Sequence, residues 1–240
     1  MNEWAANDDA AGQAIAGPPW TRLFGRGPLP ADGPANNDSA PARNGDEARP
    51  ALAAPIAIPP RLAPSLTAPR FPRRIETPRL ALDMPTLEDF HALQRMAADA
   101  SMFRYSERGA MTADEAWNLL LRHVGHWLVA GYGVFTVRDK ASGRFAGLVG
   151  GSSFQRNLGP DFDAVPEMTW TIASEFRGRG FATEAAAAVV EAVEAQPALQ
   201  STVCLIHVDN QASLRVAAKL GFRFFRYCDY RGYGAGLFCR

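Results

Sequence analysis

Hydrophobic and polar residues follow regular periods only from about residue 75 onward. Apolar residues at helical spacing predict one helix after Thr86 and a second helix after Thr112. Each threonine is followed three residues later by an acidic residue, Asp89 or Glu115, which is the pattern of a capping box. The sequence therefore predicts a helical pair early in the folded part of the chain.

Short apolar or alternating runs, bounded by turn residues, predict the strands. The predicted strands are 79–84, 134–137, 145–150, 168–172 and 203–208, followed by a β-rich segment at 222–240. Two more helices are expected at 181–194 and 210–220, and Gly221 is placed to end the last one. The resulting order, β-α-α-β-β-β-α-β-α-β-β, is typical of an α/β domain with a mixed sheet.

Residues 1–72 have a different composition from the rest of the chain. They hold 13 of the 18 prolines, are also rich in alanine and glycine, and lack apolar periodicity. Such a segment cannot bury enough apolar surface to offset the entropy lost on ordering. We therefore predict a disordered N-terminal extension over 1–72 and one folded domain over 73–240.

Charge and cysteine usage narrow the class of protein. Lys and Arg together number 25, as do Asp and Glu, so no overall basic field suggests a nucleic-acid partner. No apolar run is long enough to span a membrane, and no secretory leader pattern opens the chain. Three widely spaced cysteines predict neither disulfides nor a zinc site, and His123 with His126 is a poor metal pattern. A cytoplasmic protein without a metal is expected.

The segment 175–184 carries the strongest chemical signal. Its glycines and arginines lie between a predicted strand and a predicted helix, where unpaired backbone N–H groups and the helix dipole favour a phosphate. The P-loop pattern requires Lys-Ser/Thr after the second glycine, and Phe181-Ala182 stand there instead. The dinucleotide pattern requires a third glycine, and Thr183 occupies that position. A different pyrophosphate-bearing ligand is therefore expected.

The run Arg177-x-x-Gly180-x-Ala182 resembles the acetyl-coenzyme A signature of the GNAT acyltransferase superfamily. Further strings are similar to the branch that includes ribosomal-protein N-terminal acetyltransferases: Glu76-Thr77-Pro78-Arg79-Leu80, the stretch 167–172, Asn210-Gln211-Ala212-Ser213 and Lys219-Leu220-Gly221-Phe222. The resemblance covers about 75–240. It implies a GNAT fold with a mixed, mostly antiparallel sheet of about seven strands, about four flanking helices, and a V-shaped splay between the fourth and fifth strands.

The resemblance also implies a binding site for acetyl-CoA. Backbone N–H groups of the loop, with Thr183, are expected to contact the pyrophosphate; the residues are Arg177, Gly178, Arg179, Gly180, Phe181, Ala182 and Thr183. The pantetheine arm is expected to pair with the fourth strand near Ile172 and Ser174. Asn210 matches a position that hydrogen-bonds this arm and is equally suited to be a helix N-cap, and Ser213 matches a position near the cofactor.

Glu167 is the candidate general base, since family members often use a glutamate on this strand. Alternation places Glu167, Thr169 and Thr171 on one face, which we expect to face the cleft, with the apolar residues facing the helices. Many relatives use a tyrosine in the last helix as general acid, but Ala217 stands at that position. The acid is therefore unassigned: the candidates are a water, the serines Ser152, Ser153 and Ser213, and the tyrosines Tyr227, Tyr230 and Tyr233. Phe103, Arg104, Tyr105 and Glu107 are expected to line the acceptor side.

The predicted function is transfer of acetyl from acetyl-CoA to a primary amine by direct attack. The acceptor is either a protein N-terminus or a small-molecule amine, and the protein is expected to be a monomer or homodimer. Two alternatives remain open at this point. One is a non-catalytic acyl-CoA-binding sensor or regulatory module on the same fold, and the other is an interaction protein that acts through its N-terminal extension.

Overall fold

The computed structural model describes residues 71–105, 109–197, 199 and 201–240. The predicted extension lies outside these residues except for Phe71 and Pro72, so its disorder stays a prediction. Glu107, expected on the acceptor side, also lies outside them.

The described residues form one eight-stranded sheet in the order β1-β2-β3-β4-β5-β6-β8-β7. The strands are β1 Arg74–Glu76, β2 Leu80–Asp83, β3 Val134–Asp139, β4 Phe145–Ser152, β5 Glu167–Ile172, β6 Val203–His207, β7 Arg223–Tyr230 and β8 Tyr233–Cys239. Every neighbouring pair is antiparallel except β5 and β6, which run parallel. The predicted class is confirmed, with one strand more than expected because the three-residue β1 is too short to show a period.

The helices are α1 Phe90–Ala97, α2 Ala113–Ala130, α3 Pro160–Asp163, α4 Phe181–Glu194 and α5 Gln211–Lys219. Both predicted capping boxes are present: the backbone N–H of Thr86 donates to Asp89, and that of Thr112 donates to Glu115, each at 2.9 Å. Gly131, in the left-handed conformation, ends α2. The short α3 was not predicted, since four residues give no helical period.

Phe71 belongs to the packed core of the domain. It is buried, and its ring lies 6.0 Å from that of Trp127 and 6.2 Å from that of Phe135. Trp127 donates its indole N–H to the carbonyl of Val134 at 2.9 Å, so it joins α2 to β3. Phe71 is therefore part of the folded domain, although the composition of the sequence placed it in the predicted extension.

The pairing of β5 creates the main opening in the sheet. On one side β5 pairs with β4 along its whole length, from Gly147↔Ile172 to Ser152↔Glu167. On the other side it pairs with β6 only at Glu167↔Val203. The two parallel strands therefore separate toward their carboxyl ends, and the predicted splay lies here, between the fourth and fifth strands of the predicted order.

Two histidines of α2 are held neutral inside the domain. Burial lowers the pKa of His123 to about 3, and its Nδ1 has no hydrogen-bond partner among the described residues. Burial also lowers the pKa of His126, whose Nδ1 lies 2.8 Å from the carbonyl oxygen of Tyr132 and whose Nε2 accepts from the backbone N–H of Ser153 at 3.0 Å. His126 thereby ties α2 to the end of β4.

These histidines predict a loss of stability in mild acid. An unfolded histidine takes up a proton near pH 6.5, whereas folded His123 resists protonation down to about pH 3. The contribution of these histidines to the free energy of unfolding should therefore be constant above pH 6.5 and fall below it by ~1.4 kcal/mol per pH unit for His123, with a further loss from His126. Urea unfolding from pH 7.5 to 4 should show this slope, and His123→Leu should reduce it. His91→Leu, at an exposed position of α1, is the matched control; equal slopes for wild type and His123→Leu would contradict the prediction.

Candidate active site

The loop that leads into α4 presents unpaired backbone donors at an exposed surface. Gly178 and Gly180 have φ of 76° and 79°, a region that glycine adopts without a steric penalty. Gly180 is the N-cap of α4, and no side chain caps the helix. The first helical bond runs from the N–H of Glu184 to the carbonyl of Gly180, which leaves the N–H groups of the first turn, including those of Ala182 and Thr183, open. This geometry can hold an anion.

The side chains of the loop are engaged within the protein. Phe181 is buried and stacks on Phe176 at 6.0 Å, so only its backbone can contact a ligand. Arg177 donates to the carbonyl of Ile172 at 3.4 Å and to the hydroxyl of Ser101 at 3.2 Å. The Arg179 guanidinium lies 5.2 Å from the centre of the Phe176 ring. Both arginines still add positive charge close to the open N–H groups.

The cleft between β5 and β6 has a volume of about 210 Å³. It is bordered by residues of both strands, by Asn210 and Ser213 at the start of α5, and by Tyr105, Arg156 and Tyr233. The cleft lies within the plane of the sheet, where the strands separate, and so residues from both faces of β5 border it. The expectation that only the polar face of β5 meets the cleft is therefore wrong: Met168 and Trp170 border it together with Glu167 and Thr169.

Along the chain, the end of β5 and the turn after it lie between the cleft residues and the loop before α4. Ile172 has a buried side chain and ends β5, and Ser174 is exposed in the turn that follows. Beyond Glu167, the edge of β5 that faces β6 pairs with no strand among the residues that the structure describes. An extended ligand can use these free backbone groups, as expected for a pantetheine arm.

Asn210 is an N-cap that also borders the cleft. Its Oδ1 accepts from the backbone N–H of Ser213 at 3.1 Å, which confirms the capping role. Its amide NH₂ makes no hydrogen bond to any residue in the described part of the chain and remains free to donate. Asn210 can therefore fill both roles that its position suggested.

Glu167 is buried at the amino end of β5, with 5% of its surface exposed. Arg156 donates to both of its carboxylate oxygens, from Nε at 2.5 Å and from Nη2 at 2.8 Å, and also to the hydroxyl of Tyr230 at 2.9 Å. Burial raises the pKa of Glu167 and outweighs the opposing effect of Arg156. The result is a paired carboxylate with greater basicity than an exposed glutamate.

Two side chains with nitrogen donors at the cleft, Arg156 and His207, were not found from the sequence. Arg156 lies in the loop after β4, and no spacing along the chain connects it to Glu167. His207 ends β6 and lies between Tyr105 and Tyr233, with ring centres 5.5 Å and 5.3 Å away. Its Nδ1 accepts from the backbone N–H of Asp209 at 3.0 Å, so the neutral ring carries its proton on Nε2. His207 is thus a donor at the border of the cleft.

The structure separates the candidates for the general acid. Tyr233 and Ser213 border the cleft, whereas Ser152, Ser153, Tyr227 and Tyr230 do not. Ala217, at the position of the usual tyrosine, is buried in α5.

The described residues contain no group of three or more His, Cys, Asp and Glu side chains arranged to hold a metal ion. Within the same residues, no helix has the length and apolar character needed to cross a membrane.

Comparison with known proteins identifies the family. A family model for an acetyltransferase (GNAT) domain matches residues 79–223. The uncharacterized N-acetyltransferase YnaD of Bacillus subtilis (strain 168) is 25% identical over 161 residues, covering 66% of this chain and 89% of YnaD.

Solved structures agree with this match. A protein from Bordetella pertussis assigned to the GNAT-family acetyltransferases superposes with a TM-score of 0.63 and 32% identity, covering 70% of this chain and 99% of its own. RimL, a ribosomal L7/L12 α-N-protein acetyltransferase solved with coenzyme A, shares the fold with a TM-score of 0.58 and 15% identity, covering 71% of this chain and 96% of its own. The family resemblance in the sequence is confirmed. Because the family model spans more than half of the chain, the protein belongs to the GNAT acetyltransferase family.

Proposed function

We propose that the protein transfers acetyl from acetyl-CoA to a primary amine by direct attack of the amine on the thioester. The observation that carries this proposal is that one strand, β5, has a buried, paired glutamate at its amino end beside the cleft and leads at its carboxyl end to an open helix N-terminus. Acetyl-CoA fits this arrangement because it has a pyrophosphate at one end and a thioester at the other, joined by an extended arm.

The donor is held mainly by backbone groups. The N–H groups of the loop before α4 and of its first turn bind the pyrophosphate, and Arg177 and Arg179 add positive charge nearby. The arm lies along the free edge of β5 near Ile172 and Ser174, and the amide of Asn210 donates to it, with Ser213 alongside. This orientation brings the thioester toward the middle of the cleft and away from bulk solvent.

Starting from the ammonium form of the acceptor, two protons leave the nitrogen: one is released to solvent, and the other balances the proton that reaches the sulfur. The nitrogen forms a bond to the thioester carbon, the C–S bond breaks, and CoA leaves as a thiolate. Glu167, directly or through a water, removes a proton from the ammonium before attack, which frees the nitrogen lone pair, and its raised pKa favours this transfer. The thiolate takes a proton from a donor at the border of the cleft, and the hydroxyl of Tyr233 is the candidate.

A second candidate function is a non-catalytic acyl-CoA sensor, and the buried Ala217 favours it. An alanine cannot protonate a thiolate, so a fold that lacked any other donor would bind acetyl-CoA without turning it over. The hydroxyl-bearing side chain of Tyr233 at the cleft border argues for catalysis.

Thiol release separates the two functions. The protein should be incubated with acetyl-CoA and a panel of free-amine peptides and small primary amines, with N-blocked versions of the same peptides as controls. We expect thiol release that depends on a free amine and far exceeds the rate without acceptor. Saturable binding of acetyl-CoA without amine-dependent thiol release would support the sensor, and absence of binding would overturn both functions.

A further inference from the structure

The turn between β1 and β2 contacts the loop before α4. Arg79 donates from Nη1 to the carbonyl of Arg179 at 2.8 Å and from Nε to a carboxylate oxygen of Glu184 at 2.6 Å. The other oxygen of Glu184 accepts from the backbone N–H of Arg79 at 3.0 Å and from the hydroxyl of Thr77 at 2.5 Å. We call Thr77, Arg79 and Glu184 the clasp.

The turn that carries the clasp is fixed from its other side. Lys140, at the β3–β4 hairpin, donates its ammonium to the carbonyl of Thr77 at 2.6 Å and its backbone N–H to the carbonyl of Arg79 at 2.9 Å. The Arg79 guanidinium also lies 5.0 Å from the centre of the Phe181 ring, so its position is restricted on the loop side as well. Arg79 is therefore well placed to orient the loop.

We propose that the clasp positions the pyrophosphate-binding loop and thereby sets the affinity for the donor. The peptide unit between Arg179 and Gly180 carries this effect. In a trans peptide the C=O and N–H point in opposite directions. Because Arg79 holds the carbonyl of Arg179, the N–H of Gly180 in the same peptide unit points away from Arg79, toward the exposed side of the loop. The clasp thus fixes the direction of a donor in the anion site.

The clasp also keeps the carboxylate of Glu184 ionised and paired. A carboxylate in the first turn of α4 competes with a bound phosphate for the same helix N-terminus. Partial burial raises the pKa of Glu184, but the hydrogen bonds from Thr77 and Arg79 outweigh it and lower that pKa overall. The carboxylate is consequently ionised, paired, and directed to the β1–β2 turn instead of the phosphate site.

This role rests on the proposed use of acetyl-CoA, and the test separates the two ideas. Arg79→Ala removes the contact to Arg179, and Arg79→Lys keeps the charge but cannot donate to Glu184 and Arg179 together. Each variant is assayed with acetyl-CoA and with S-acetyl-pantetheine, which has the thioester and arm but no pyrophosphate. Arg74→Ala is the matched control, because Arg74 makes ion pairs with Glu76 and Asp83 in the same hairpin and does not contact the loop.

We expect both Arg79 variants to raise KM for acetyl-CoA about tenfold with kcat nearly unchanged, as for loss of donor binding alone. Their kcat/KM with S-acetyl-pantetheine should match wild type, and Arg74→Ala should match wild type with both donors. An unchanged KM for acetyl-CoA, or wild-type behaviour of Arg79→Lys, would show that the clasp does not orient the loop. An equal loss with both donors would mean that Arg79 only stabilises the fold. Wild-type protein that fails to use acetyl-CoA would overturn the proposed function instead.

Discussion

Replacing Gly180 with valine is expected to weaken acetyl-CoA binding by about 100-fold, or ~2.7 kcal/mol. Gly180 has φ of 79°, where a β-branched residue is strongly disfavoured. A Cβ at this position would meet no atom closer than Arg79 Nη2 at 3.5 Å, so the effect comes from backbone strain and not from a clash. The loop can relieve the strain by changing φ, which turns the N–H groups of the loop away from the phosphate. Losing two hydrogen bonds to a charged ligand is enough to account for this loss.

A second glycine in the same conformation provides the control. Gly131 has φ of 77° at the end of α2, and a Cβ there would also have open space. Gly131→Val should therefore impose similar strain without changing the affinity for acetyl-CoA. Titration calorimetry with CoA measures both variants, and thermal unfolding confirms that both are folded. If Gly180→Val binds CoA as wild type does, the pyrophosphate is not held by this loop.

The parts of the fold that were predicted correctly depend on contacts close in sequence. The capping boxes at Thr86 and Thr112 each use groups three residues apart. Gly131 ends its helix through its own backbone conformation. Because the groups that form such features are only a few residues apart, the local sequence pattern is enough to predict them.

The parts that were missed depend on contacts between distant segments. Arg156 reaches Glu167 and Tyr230 only after β4, β5 and the final hairpin have formed, and the separation from Tyr230 is 74 residues. The clasp joins residues that are more than 100 positions apart. The residues that surround Arg156 and Thr77 in the sequence do not indicate these partners. The sequence therefore predicts the donor loop and Glu167 as candidates, whereas Arg156 and the clasp are visible only in the structure.

Glu167→Gln is expected to lower kcat by about 100-fold, at the lower end of what general-base catalysis contributes. Glutamine preserves the shape of the side chain but cannot accept the proton that the ammonium must lose before it attacks. Glu167 lies at the amino end of β5 and the donor loop follows its carboxyl end, so the affinity for acetyl-CoA should change less than about threefold. Glu194→Gln, which disrupts the exposed pair with Arg240, is the matched control and should retain wild-type kcat. An unchanged kcat in Glu167→Gln would exclude Glu167 as the base.

The pairing of Glu167 with Arg156 allows the role of Glu167 as the base to be tested through the pH dependence of kcat/KM. Arg156 lowers the pKa of Glu167, against the larger effect of burial. Arg156→Met removes the cation and leaves the carboxyl buried, so the pKa of Glu167 should rise further. Since the base must be ionised to act, the acid limb of the kcat/KM profile should move to higher pH by about one unit or more. Activity at high pH should recover toward the wild-type value, because the carboxylate is then ionised in both proteins. A uniform loss at every pH would instead mean that Arg156 acts on the geometry of the cleft and that the limb belongs to another group.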